Sequence, residues 1–142
     1  MADAITPVWD ESGKYLYFLA STNYGLNTGW LDMSSYNNPV TRALYVAVLS
    51  KNTSSPIELK SDEETEAEST DSDEEGITVQ IDEEGLLQRI IALDIPERNY
   101  TGLVAGPEKT IFYAESIQNE NGRKLHKYDL KKQKASIFLK GI

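Results

Sequence analysis

Pro7-Val8-Trp9-Asp10-Glu11-Ser12-Gly13-Lys14-Tyr15-Leu16-Tyr17-Phe18-Leu19 joins a short strand, an acidic tight turn and a dense aromatic strand in thirteen residues. Asp10 to Lys14 supply the turn: a carboxylate and a hydroxyl can bond their own backbone, and Gly13 is free to take a positive φ. From Tyr15 to Leu19 every residue is aromatic or aliphatic. Such a strand has both faces covered and lies inside a stack of sheets.

Outward from this stretch the sequence repeats itself. Lys14-Tyr15-Leu16-Tyr17-Phe18-Leu19 returns 95 residues later as Lys109-Thr110-Ile111-Phe112-Tyr113-Ala114. Each is followed by a further strand, Ala43–Leu49 in the first unit and Lys124–Leu130 in the second. Each unit then offers a fourth, Gln88–Ile95 stopped by Pro96, and Ala135–Leu139 reached through Lys131-Lys132-Gln133-Lys134. Glu84–Ile95 also suits one face of a short helix, but its β-branched content and closing proline favour the extended reading.

Four strands per unit make a propeller blade, and the 44 residues of Asn99–Ile142 match the roughly 40 to 50 residues of such repeats. The expected fold is all-β: two antiparallel four-stranded β-propeller blades, residues 1–98 and 99–142. The first blade is lengthened by an aromatic, Gly/Asn-rich loop at 22–41 and an acidic, disordered loop at 52–85. Two blades fall short of the roughly four to eight that close a wheel, so this is an open fragment of a larger propeller. Its uncovered edges and faces predict self-association into a homo-oligomer.

The chain has 142 residues, 39% of them hydrophobic, which is ordinary for a soluble globular domain. No apolar run approaches the roughly 18 residues of a membrane span, and Met1-Ala2-Asp3-Ala4 lacks signal-peptide character, so no membrane partner is expected. Zero cysteines exclude disulfides and thiolate metal sites. The compartment stays open: the cytoplasm is favoured, the periplasm applies if a longer parent carries a signal peptide.

The net charge of −9 is concentrated, because Ser61–Gly76 holds nine acidic residues and no basic one, and the remainder has 14 of each sign. The one basic cluster, Arg123–Lys140, alternates with apolar residues as a strand does, which argues against nucleic acid as a partner.

No catalytic residue is assigned. The single histidine, His126, sits mid-strand and reads as a surface residue; no Gly-x-Ser-x-Gly elbow accompanies it. Asp71, Asp73, Glu75, Gly76 and Asp82 fall at calcium-loop positions, but the preceding residues lack an apolar helix face, so the spacing reads as an acidic low-complexity run and no metal is assigned. No cofactor is implied. The 22–41 loop carries Tyr24, Trp30 and Tyr36, which either cover a blade junction, the favoured reading, or line a peptide route on one propeller face.

The chain resembles the β-propeller region of tricorn-type serine proteases. The resemblance covers most of the chain and rests on Pro7–Asp10 with Gly13–Leu19, on Arg42–Leu49, on the acidic insert leading to Thr78–Asp82, and on Gly85–Pro96 with Asn99-Tyr100. In that family the propellers precede a regulatory domain, a peptide-binding PDZ domain and a catalytic core carrying the nucleophilic serine, none of which is in this sequence. The resemblance implies a noncatalytic segment that filters access of peptides or unfolded chains and assembles with the remaining domains of a parent protease. The alternative is a stand-alone interaction module acting through its sheet edges or aromatic loop.

Overall fold

A computed structural model describes residues 3–21, 40–57, 78–107, 109–117 and 119–141. They form eight strands: β1 Asp3–Trp9, β2 Tyr15–Ser21, β3 Ala43–Val48, β4 Ile90–Ala92, β5 Tyr100–Gly106, β6 Thr110–Ser116, β7 Arg123–Asp129 and β8 Lys134–Lys140. The strands make two four-stranded sheets, β1-β2-β3-β4 and β5-β6-β7-β8, each an antiparallel meander in chain order. This is the architecture of two consecutive propeller blades.

The opening turn forms as its chemistry dictates. Gly13 takes φ 69° and donates its N–H to the Asp10 carbonyl at 2.9 Å, while the Asp10 carboxylate accepts the Ser12 N–H at 3.0 Å. The second sheet reverses at Pro107–Thr110, with Lys109 at φ 58°. The repeat extends to single hydrogen bonds, since Leu49 N–H donates to the Lys14 carbonyl and Leu130 N–H to the Lys109 carbonyl, both at 3.1 Å. Each first strand also carries a bulge against its neighbour, between Ile5 and Val8 in β1 and between Tyr100 and Gly102 in β5.

Register fixes which side chains share a face. In the first sheet Tyr17 lies opposite Val46, and Leu19 opposite Leu44. In the second, Ile111 lies opposite Tyr128, and Leu103 opposite Tyr113. These eight residues are buried members of one hydrophobic cluster that joins the two sheets face to face. β5 lies against both β1 and β2, and Leu93 and Ile95 of the connecting segment enter the same cluster. Within β2 the covering is graded: Tyr15, Tyr17 and Leu19 are buried, Leu16 and Phe18 half-buried.

The fourth strand of the first sheet is shorter than Gln88–Ile95. The chain leaves Gly85 (φ 72°) into a 3-10 turn, Leu86–Arg89, and only Ile90–Ala92 pair with β3. The helical and extended readings of this segment are thus each right for part of it. The Arg89 side chain holds the turn: its Nε donates to the Val48 carbonyl at 3.0 Å, and its two terminal nitrogens to the carbonyls of Glu84, Leu49 and Asp82. Past Ala92, Leu93 keeps one bond to Leu44 and a tight turn, Ile95 N–H to the Leu93 carbonyl, directs both apolar side chains inward.

Asp82 works with Arg89. Its N–H bonds the Leu49 carbonyl at 2.9 Å, and its carboxylate accepts the Ser50 hydroxyl and the Lys51 N–H at 3.1 and 2.8 Å. Residues 78–84 are thereby tied to the end of β3.

Leu44→Ala removes a fully buried side chain at the centre of the cluster and should cost about 2–5 kcal/mol in denaturant unfolding, with both sheets lost in one transition. Arg89→Ala should cost about 1–3 kcal/mol by stripping several carbonyls of their donor, and Arg89→Lys should recover little, because an ammonium cannot span them.

Candidate functional site

At one end of the two sheets the apolar cluster gives way to a polar seam. Asp3 at the start of β1 lies opposite Ser21 at the end of β2. Arg42, just before β3, pairs with Asp3 at 2.7 Å, and both side chains are largely buried. The Arg42 backbone forms a two-way bridge with Arg98, N–H to carbonyl at 2.8 and 3.2 Å, so the connecting segment is stitched to the first sheet just before β5 begins.

On the second sheet Glu115 is the hub. Register puts it on the face turned to the first sheet, with Tyr113 opposite His126 beside it. One Glu115 oxygen accepts from the Arg98 guanidinium at 3.1 Å, and the other is 2.7 Å from His126 Nε2. The His126 ring stacks on Tyr113 at 5.0 Å, and Tyr113 meets Tyr100 edge-on at 4.9 Å. Tyr100 donates its hydroxyl to the Pro96 carbonyl at 2.7 Å. His126 is therefore not the surface residue that its mid-strand position suggests. Its ring is largely covered, because the pleat turns it toward the first sheet and the buried Glu115 holds it there.

Burial works to raise the Glu115 pKa, but the hydrogen bonds from Arg98 and His126, together with their charge, hold it below the ordinary glutamate range. Tyr100 goes the other way: burial, with Glu115 nearby, pushes its phenol up to about 12. Both Glu115 oxygens are committed, one to Arg98 and the other to His126 Nε2. Ion pairs and hydrogen bonds of this kind can lock two sheets together.

The aromatic residues Tyr24, Trp30 and Tyr36 lie outside the described residues. The described chain stops at Ser21, opposite Asp3, and resumes at Val40, two residues before Arg42; both are buried. Asp71, Asp73, Glu75 and Gly76 also lie outside; Asp82, the last of that series, has its carboxylate engaged by Ser50, Lys51 and Gln80. Among the described residues no group of three or more His, Asp or Glu side chains is placed to hold a metal ion.

The second candidate is the pair of faces turned away from the seam. On the first sheet Trp9, Leu16, Ala47 and Ile90 lie in one row across the strands, and Phe18 and Tyr45 face each other in the next, their rings stacked at 5.6 Å. On the second, Val104 lies opposite Phe112, Leu125 opposite Leu139, and the Phe112 ring meets Phe138 edge-on at 5.2 Å. Trp9 is 50% exposed, Val104 61% and Phe138 53%. The uncovered faces follow from the strand pattern alone, whereas the seam joins residues that are distant in the chain.

Because the folded-state pKa of Glu115 is lowered, its contribution to stability is complete above the ordinary glutamate value and is lost as pH falls through the lowered one. Glu115→Gln should cost about 1–3 kcal/mol at neutral pH and flatten the acid limb of the stability curve. For Tyr100 the sign reverses: its contribution is present below the ordinary phenol value of about 10 and is lost as pH rises toward 12. Tyrosinate absorbance should therefore rise together with unfolding in that window.

No protein-family model and no curated protein matches the chain. The crystal structure of the tricorn protease does: 96% of this chain superimposes on it with a TM-score of 0.58 at 16% identity. The match spans only 13% of that protein's length. The likeness is one of fold, and it places the two sheets as propeller blades.

Proposed function

We propose that this chain is a noncatalytic β-propeller segment of a tricorn-like serine protease, contributing to peptide-substrate access and to assembly with the remaining domains of that protease. The observation that carries the reading is the superposition of two complete four-stranded blades, over 96% of the chain, on a stretch of the tricorn protease. The sequence resemblance over Pro7–Leu19, Arg42–Leu49 and Gly85–Pro96 points the same way. A blade segment of this kind is scaffold: its chemistry lies in other domains, which agrees with a seam whose one histidine is tied to a carboxylate already held by arginine. The substrates would be peptides or unfolded chains, and the contribution of this segment would be steric, exercised by loops such as that bearing Tyr24, Trp30 and Tyr36.

A second reading, a stand-alone interaction module, is favoured by the apolar faces left open on both sheets. Determining the coding sequence on both sides of the segment separates the two. The protease reading expects further blades upstream and a PDZ-like domain and serine hydrolase core downstream in the same frame. A frame that closes at Ile142, with no blades before Met1, would overturn it. The isolated chain should cleave no peptide; cleavage by the purified chain would also overturn the reading.

A further inference from the structure

We infer that each blade builds a polar seat for one internal water molecule at the bulge of its first strand, with the hydroxyl of Thr6 as the side-chain ligand in the first blade and that of Thr101 in the second. The inference rests on strand geometry alone and not on the protease assignment.

The two threonines are 95 residues apart, the same interval that separates Lys14–Leu19 from Lys109–Ala114. Each stands in its bulge. Thr6 and Pro7 together face the single residue Phe18, between the pairs Ile5–Leu19 and Val8–Tyr17, and Thr101 is the extra residue between the pairs Tyr100–Glu115 and Gly102–Ala114. Both hydroxyl oxygens are shut off from solvent, and neither reaches a hydrogen-bond partner among the described residues. The hydroxyls of Ser12, Ser50, Tyr15 and Tyr100, by contrast, each bond a protein acceptor.

A buried hydroxyl without a partner is costly, and native chains satisfy nearly all such groups. A bulge also leaves the backbone of its extra residue out of the ladder, and Pro7 has no N–H to offer a neighbouring carbonyl. A hydroxyl beside freed backbone groups suits an internal water, which makes about three hydrogen bonds and can both donate and accept. An ion suits the two bulges less well, because β5 carries no charged side chain and the one in β1, Asp3, is held by Arg42. Thr6 also stands at φ 50°, where a β-branched residue is a rare outlier. Glycine would hold that conformation without strain, so what threonine adds at this point is its side chain. Because β5 lies against β1, the strands that carry the two seats meet at the junction between the sheets.

The test is a crystal structure of the full chain at a resolution that shows ordered water, together with equilibrium unfolding of Thr6→Val and Thr101→Val. The wild type should show one water within hydrogen-bond distance of each threonine Oγ1, screened from bulk solvent. Each valine variant, which puts a methyl where the hydroxyl was, should lose that water and unfold at a lower denaturant midpoint, since the freed backbone groups lose their partner. A wild-type structure with no water at either threonine, or with both hydroxyls bonded directly to protein groups, overturns the inference whether or not a variant folds. Water at one threonine alone overturns the claim that both blades share the seat. A valine variant as stable as the wild type, or more stable, shows a hydroxyl that had no partner to lose and overturns the inference at that position. Each of these outcomes leaves the propeller-segment reading intact.

Discussion

An antiparallel sheet with apolar side chains on both faces is stable only where both are covered, and this constraint shapes the molecule. Alternation along β2 and β3 places Tyr17, Leu19, Leu44 and Val46 on one face, and Phe18 and Tyr45 on the other. A solvated sheet would carry polar residues on its second face. The first face is satisfied inside the chain by Leu103, Ile111, Tyr113 and Tyr128 of the second sheet, which closes one shared cluster. Everything else is arranged around that contact. The connecting segment adds Leu93 and Ile95 to it, the Arg42–Arg98 bridge sets where β5 begins, and the ion pairs of Asp3, Arg42, Arg98 and Glu115 bound it at one end.

The seam and the faces play different parts. Burying Glu115 and the Arg42 guanidinium is costly unless their partners are in place, so these groups specify how the two sheets meet more than they add to stability. The apolar faces supply the driving force and have no such selectivity. Edge protection follows the same logic: β4 has three residues, and β8 is flanked by Lys134 and Lys140, both features that discourage strand-to-strand aggregation.

Much of this was legible in the sequence, for reasons that can be named. The aromatic strand Tyr15–Leu19, the Asp10–Gly13 turn and their recurrence at Lys109–Ala114 are local signals, and local signals survive translation into structure. The segment Glu84–Ile95 was ambiguous because leucine and isoleucine suit both periods; Gly85 and the reach of Arg89 to several carbonyls decide it, and neither is visible as a periodicity. The seam was not legible at all. Asp3 and Arg42 are 39 residues apart, and Arg98 and Glu115, 17 apart, meet only once β5 and β6 have paired. His126 illustrates the limit: its position in an alternating basic strand says surface, while the sheet pleat and a buried carboxylate on the neighbouring strand say otherwise.

The central claim is that the two blades share one core and fold as a unit. Native-state hydrogen exchange on the full chain tests it most directly. The account predicts that the amides of β2, β3, β6 and β7 exchange through one common opening with the same free energy and denaturant dependence, while those of β4 and β8 exchange earlier by local fraying. Distinct opening free energies for the first and second sheets, each with its own smaller denaturant dependence, would show two independent units and contradict it.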